Sequence, residues 1–396
     1  MTAPTPTVDS LHAAVTGGVV AFRLRARLQP AGGPGDKVFP PTYATGQDDR
    51  DHETMYATEE RMIDGRRVPS VLLDSVASQA NRMELALLRA RERDGLSLPL
   101  IAVDFGPTLP ELGRISALEA PHRVYDAILR DATLDGTAFR ASELGRRLTD
   151  ASPSDARAML EHCPTALLFG AWDSTGPRGG RGHKFQRALV SEVVGIDFAT
   201  GTKVGSRIDP LQISASVRLS IPKEDSDAWT VDATGKSKQR PSEVNHSNIA
   251  PTRDGEAGGV TLDHALHTAV LSLPALRRLR FGNWDDARSD AARTLLAALG
   301  LLALVLQRRV GYDFRSRCTL VPEGPVALEQ VGADGSRDPL PLSVAEARAL
   351  FDAALARARE QGVPWAEDEV VLRPMPKLVQ LVEASQQLMA AGGPAD

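Results

Sequence analysis

The residues best suited to chemistry gather in a glycine-rich stretch, Gly176 to Lys184 (GPRGGRGHK), with Arg187 just beyond it. Glycines expose backbone N–H groups and let a phosphate approach closely. Arg178, Arg181, Lys184 and Arg187 lie there without one acid among them. The expectation is phosphate contact through Arg178, Gly180, Arg181, His183, Lys184 and Arg187, and a plain surface loop is the alternative. The stretch is not a Walker A loop, since His183 separates glycine from lysine and Phe185 follows Lys184. Nor is it the GxGxxG of a dinucleotide fold.

Two further sets have similar chemistry. At about 100° per residue, Ser75, Ser78, Gln79 and Arg82 fall on one side of a helix, flanked by Asp74 and Asn81. Short hydroxyls, amides and an arginine are the groups that hydrogen-bond phosphate and sugar; the bland alternative is a solvated helix surface. Lys236, Lys238, Arg240, Asn245 and His246 form a basic, amide-rich patch within TGKSKQRPSEVNHSN, or else a disordered charged loop. Catalysis is poorly provided for. The eight histidines form no HExxH pair, no GxSxG elbow is present, and the acids lack metal-ligand spacing, so no catalytic residue, cofactor or metal is expected. Asp173 and His183, flanking the glycines, are the acid/base pair an RNA-cleaving alternative would need.

These residues need elements to position them. Gly18 to Gln29 alternates apolar and basic residues, which predicts a half-buried strand showing Arg23, Arg25 and Arg27 on its other face. After a floppy start, residues 30–70 read as an irregular insertion. Val71 to Arg93 reads as a helix with the stripe Leu72, Val76, Ala80, Met83, Leu87. Leu98 to Phe105 and Thr165 to Trp172 read as buried strands, and 106–161 between them as a helical insertion. Residues 199–259 carry little apolar periodicity and read as a protruding excursion that leaves the body and returns along Leu262 to Arg280. Ala287 to Arg309 is a long buried helix; Arg315 to Val321 and Val326 to Val331 are candidates to pair with each other. Ser343 and Glu346 form a capping box opening a helix that stops at Gly362, in a C-terminal helical part, 340–396. Strands and helices alternating with insertions suit an α+β fold in one elaborated domain, 1–396.

Composition sets bounds. A chain of 396 residues with 42% hydrophobic content can bury a sizeable core. The two cysteines, Cys163 and Cys318, form no metal-spaced pair and fit a reducing cytoplasm. The start lacks a secretory pattern. The most apolar run, Leu295 to Leu306, is shorter than the roughly 20 residues a membrane helix requires, so no membrane is expected. A net charge of −5 is no signature of nucleic-acid binding taken alone. The charge is segregated, however, with Asp48, Asp49, Asp51, Glu53, Glu59 and Glu60 far from the basic stretch. That permits one basic groove on an acidic body.

The runs LLDSVASQANRMELAL (72–87), LEAPHRVYDAILRD (118–131), CPTALLFGAWDSTGPRGGRGHKFQRALVSEVVGID (163–197), PSEVNHSNI (241–249) and HTAVLSLPALRRLRF (267–281), with PPTYA (40–44), together resemble the CRISPR-associated RAMP-superfamily backbone subunit of type I-G (formerly I-U) Cascade, of the Cas-seven family. The resemblance implies a modified RRM/ferredoxin-like palm, with 30–70 and 106–161 as finger insertions and 199–259 as a thumb. It implies copies stacked head to tail along CRISPR RNA and target DNA engaged through the guide. The implied partners are a large subunit, a fused end-cap/processing subunit and a separate helicase-nuclease. Guide contacts would go to phosphate and ribose, by way of the helix at 72–91 and the glycine stretch. Ordinary RRM stacking rings are not evident, with aromatics only 5% of the chain. Alternatives are a RAMP-type RNA endonuclease using Asp173 or His183, and a metabolic enzyme with a small phosphate pocket in the glycine stretch.

Overall fold

The alternating segment becomes β1 (Val19–Pro30), in which Phe22, Leu24, Ala26 and Leu28 are buried while Arg23, Arg25 and Arg27 take the opposite face. The computed structural model describes residues 5–43, 55–174, 184–222 and 226–390. Among them, β1 lies inside a sheet of nine strands with β2 (Thr58–Ile63), β3 (Arg66–Asp74), β4 (Leu189–Thr200), β5 (Val260–Ser272), β6 (Tyr312–Asp313), β7 (Thr319–Pro322), β8 (Leu328–Gly332) and β9 (Arg337–Leu340). The order is β6-β7-β1-β5-β4-β3-β2; β8 also pairs with β1, and β9 with β8. Every one of these pairings is antiparallel.

The helices that matter here are α1 (Val8–Thr16), α2 (Val76–Asp94), α3 (Pro164–Phe169), α4 (Asp286–Arg309) and α5 (Val344–Glu360). With α2 between β1 and β4, and α4 between β5 and the β7/β8 pair, the core reads β-α-β-β-α-β with spatial order 4-1-3-2. This is the expected ferredoxin-like α+β arrangement, extended by the β2–β3 hairpin. A smaller sheet of five short strands joins Ile101–Asp104, Arg114–Ser116, Ala132–Leu134 and Thr137–Ala138 to Val370–Pro374 near the chain's end. Helix α4 is apolar on all sides. By length and composition it could cross a membrane, but its apolar 18-residue stretch is 94% buried inside the protein, and its Gly300 lies where a side chain would press on Leu271 of β5. The long buried helix expected over Ala287 to Arg309 is found at Asp286–Arg309.

Several sequence expectations are corrected. The start is not floppy: α1 opens with Thr7 and Ser10 bonded reciprocally as a capping box. Residues 58–74 form a hairpin, not irregular insertion, and its second strand continues to Asp74. Leu72 therefore pairs across to Val194, and the helix begins only after Ser75, whose hydroxyl accepts the Ser78 N–H. Pro164 at the first helical position makes 164–169 a helix, with only Ala171–Trp172 extended. The 319–322 and 328–332 strands do not pair with each other; both pair with β1. The expected C-terminal helical part also contains the strand Val370–Pro374. Helix α5 keeps its Ser343/Glu346 capping box.

Under the sheet, α2 is tied to β5 by a buried polar chain. The Ser191 hydroxyl donates to Gln79 Oε1 (2.9 Å) and lies 2.8 Å from His267 Nε2, while His267 Nδ1 lies 3.1 Å from the Tyr312 hydroxyl. With Ser191 donating to Gln79, His267 Nε2–H donates to Ser191 and Nδ1 accepts from Tyr312, so the chain is satisfied only by a neutral imidazole. Burial accordingly pushes His267 down to about 3. The folded-state value lies below the unfolded value of about 6.5, so its stabilising contribution is whole above that pH and is lost as pH falls toward 3. Urea titrations between pH 7 and 4 should show the wild type losing up to about 1.4 kcal/mol per pH unit more than His267→Gln. Parallel pH profiles would refute this.

Candidate nucleic-acid interface

The glycine-rich stretch is bracketed by a short ladder in which Ala171 pairs with Phe185 and Trp172 with Lys184. Arg178, Gly180, Arg181 and His183 lie outside the described residues, and the ladder places what flanks them. Lys184 Nζ sits 5.6 Å from the centre of the Trp172 ring, which is 51% exposed. A cation over a half-exposed indole leaves ring surface free for a second planar group.

These residues border a cleft of about 550 Å³. Its walls include Ala77 and Asn81 from the first turns of α2, His122, Trp172, Ser174, Lys184, Gln186 and Arg187. No carboxylate lines it among the described residues. Arg187 is exposed, and Gln186 accepts from Arg278 (3.0 Å). An aromatic face, two cations and amides without an acid can hold a phosphodiester chain and stack a base beside it.

The cleft's floor is fixed by an ion pair. Arg123 Nε and Nη2 donate to the two Glu84 oxygens at 2.7 and 2.8 Å, and Nη1 donates to Gly170 O at 3.0 Å. Both side chains are buried. Burial raises the Glu84 carboxyl above the ordinary carboxylate range, opposed by the pull of Arg123. Arg123 also has a left-handed backbone, φ 54°, which these bonds hold in place. Gly170, φ 82°, sits against Arg187 and the Phe185 carbonyl, so a side chain would strain the backbone and push the cleft wall.

The polar face expected on α2 is spent inside the protein. Asp74 is fully buried, and it accepts from the Ser78 hydroxyl (2.8 Å), Gln79 Nε2 (2.6 Å) and Arg82 Nε (3.0 Å). Arg82 also donates to the Phe314 carbonyl (2.9 Å), and Gln79 is fully buried. Ser75 is the N-cap. The set of donors was legible as anion-binding, but their anion is this protein's own carboxylate, since β3 ends on Asp74 where the helix face turns inward. Of that group Asn81 alone reaches the cleft.

On β1, Arg23 pairs with Glu329 (2.6 Å) and Arg27 with Glu323 (2.9 Å), while Arg25 is exposed and unpaired among the described residues. The excursion continues the β4–β5 hairpin as a ladder of Lys203–Arg207 with Ile249–Asp254. Beyond it Lys236, Lys238, Arg240 and Asn245 are exposed, and His246 packs edge-on to Trp229 (5.9 Å). None of these lines the cleft. Asp173 is 3% exposed with Oδ1 bonded to Arg140 (2.7 Å), so it is closed to solvent.

Sequence reasoning missed Trp172, His122, Gln186 and the Arg123–Glu84 pair. Extended residues on both sides of a glycine-rich turn are a hairpin signal, and that would have set Trp172 beside Lys184. Nothing in the sequence links residue 84 to residue 123.

Residues 22–200 match the family model described as CRISPR-associated protein GSU0053. That span includes every residue lining the cleft. No curated protein matches the chain. Among solved structures, the crystal structure of Thermofilum pendens Csc2 aligns over 98% of this chain and 81% of its own, at 11% identity and a TM-score of 0.28. The fold rests on the strand order given above, not on that alignment.

Proposed function

We propose that the chain is a guide-RNA-binding backbone subunit of a CRISPR surveillance complex of type I-G, with no catalytic centre of its own. The observation that carries this reading is the cleft, without an acid among the described residues that line it, with Lys184 over a half-exposed Trp172 and with Arg187 and Asn81 beside it, inside the span similar to a CRISPR-associated family. Lys184 and Arg187 take successive phosphates, Trp172 stacks a base, and Asn81 bonds a ribose or phosphate oxygen. None of these contacts reads base edges, so any spacer sequence is accepted. Copies join head to tail along the guide through a heterologous interface that does not close. Target DNA is engaged through the guide, and the partners are a large subunit, a fused end-cap/processing subunit and a helicase-nuclease that cuts. The complex works in the cytoplasm.

The test is co-expression with CRISPR RNAs of increasing length, followed by gel filtration with light scattering and a nuclease assay on the same fractions. A particle mass rising in steps with guide length, the RNA intact, supports the reading. A monomer that leaves RNA unbound, or cuts it, refutes it.

A further inference from the structure

A second basic groove lies at the other end of α2. Ala86, Arg89, Ala90, Arg93 and Asp94 face Leu306, Arg309 and Val310 of α4 and its end across about 160 Å³. Basic residues at helix C-termini are ordinarily explained by the exposed carbonyls there. At the end of α2 that duty is met by another residue: Arg348 donates to Asp94 O (3.1 Å) and Gly95 O (2.9 Å). Arg89 and Arg93 are exposed and bond to none of the described residues, and Arg309, 60% exposed, meets Asp94 only at 4.0 Å. Arg89 and Arg93 are also like charges four residues apart, an arrangement that weakens a helix.

The two grooves are joined. Ala77, Asn81, Leu85, Arg89 and Arg93 are all exposed at successive i+4 positions, one continuous ridge of α2. Ala77 and Asn81 border the cleft; Arg89 and Arg93 border the basic groove. From Asn81 to Arg89 the helix advances about 12 Å, a few nucleotides of extended strand.

We propose that the groove of Arg89, Arg93 and Arg309 is a second phosphate site for the single strand leaving the cleft, so that the strand follows the exposed ridge of α2. This rests on the cleft being an RNA site. Between the two sites the ridge offers Leu85, 37% exposed, an apolar surface for a base or ribose and no hydrogen bond that would select sequence.

The experiment is fluorescence anisotropy with oligouridylates of about 4 and about 12 nucleotides across a salt series, on the full chain. Arg89→Gln with Arg93→Gln should weaken the long oligomer about 25-fold near 0.1 M salt and make its salt slope shallower by about 1.4, as the loss of two single-strand phosphate contacts requires. The short oligomer should bind as before, and Tm should hold or rise. An unchanged long-oligomer affinity, in protein where Lys184→Gln with Arg187→Gln weakens binding about 25-fold near 0.1 M salt, overturns the second site and leaves the cleft standing. A lowered Tm assigns the two arginines a structural role and overturns it as well. Failure of wild-type protein to bind either oligomer refutes the cleft itself, and the second site with it.

Discussion

Arg123→Ala is expected to cost the folded chain about 3–5 kcal/mol, because it leaves the Glu84 carboxylate buried without its counter-charge. Glu84 is 1% exposed, so in the folded protein bulk solvent does not screen its charge. The variant must protonate Glu84 in order to fold. With a folded value above the unfolded one of about 4.3, the stability of Arg123→Ala is greatest below that pH and is lost as pH rises through the raised value. The wild type shares the direction of this loss, since burial already raises its Glu84, and the attraction of Arg123 makes the loss smaller than in the variant. Replacing both residues, Glu84→Met with Arg123→Met, should recover most of the deficit, since apolar groups of similar volume often substitute for a buried pair. Urea unfolding of the three proteins at pH 5 and 8 checks this; an Arg123→Ala protein with wild-type stability at pH 8 would disprove it. Arg123 also holds Gly170 O, so the same variant should loosen the cleft wall and weaken RNA binding beyond its effect on the fold.

The second large effect concerns the cleft directly. Trp172→Ala removes a stacking surface worth about 1–3 kcal/mol per base, and should weaken single-stranded RNA binding by about 5- to 150-fold at any salt concentration. Lys184→Gln with Arg187→Gln acts by another route. It should make the salt slope shallower by about 1.4, with a loss that fades at high salt. The two signatures separate a ring that stacks from cations that neutralise. Trp172 is half exposed and Lys184 and Arg187 are surface groups, so neither change should alter Tm by more than a degree or two. A Trp172→Ala protein with full affinity would remove the stacking role.

The sheet was legible wherever one face is buried and the other is not. Strand β1 was readable because Phe22, Leu24, Ala26 and Leu28 alternate with arginines, and α4 because its apolar residues run unbroken. Thr165 to Trp172 misled, since an apolar run of that length is compatible with strand or helix, and Pro164 with burial on every side decided for helix. On α2 the sequence showed which residues share a face but not what that face meets. Its Ser78, Gln79 and Arg82 are satisfied by Asp74, adjacent in sequence and fully buried. Asp74 had been noted only as a flanking residue. The cleft was half legible. Lys184 and Arg187 stood out by charge, while Trp172 required the pairing across the glycines to be seen.

The order of the sheet also bears on how the chain comes into being. Both neighbours of β1 are encoded beyond Val260: β5 on one side, β7 and β8 on the other. At about 5–20 residues per second, the ribosome makes β1 well before anything it can pair with. A nascent chain stopped at residue 200 has its cleft residues and half its core, yet its central strand has two open edges. Such non-local pairing closes slowly and exposes strand edges meanwhile. The segment bearing the family likeness is therefore no autonomous unit, and translation must pass the β8 strand before the central sheet can close.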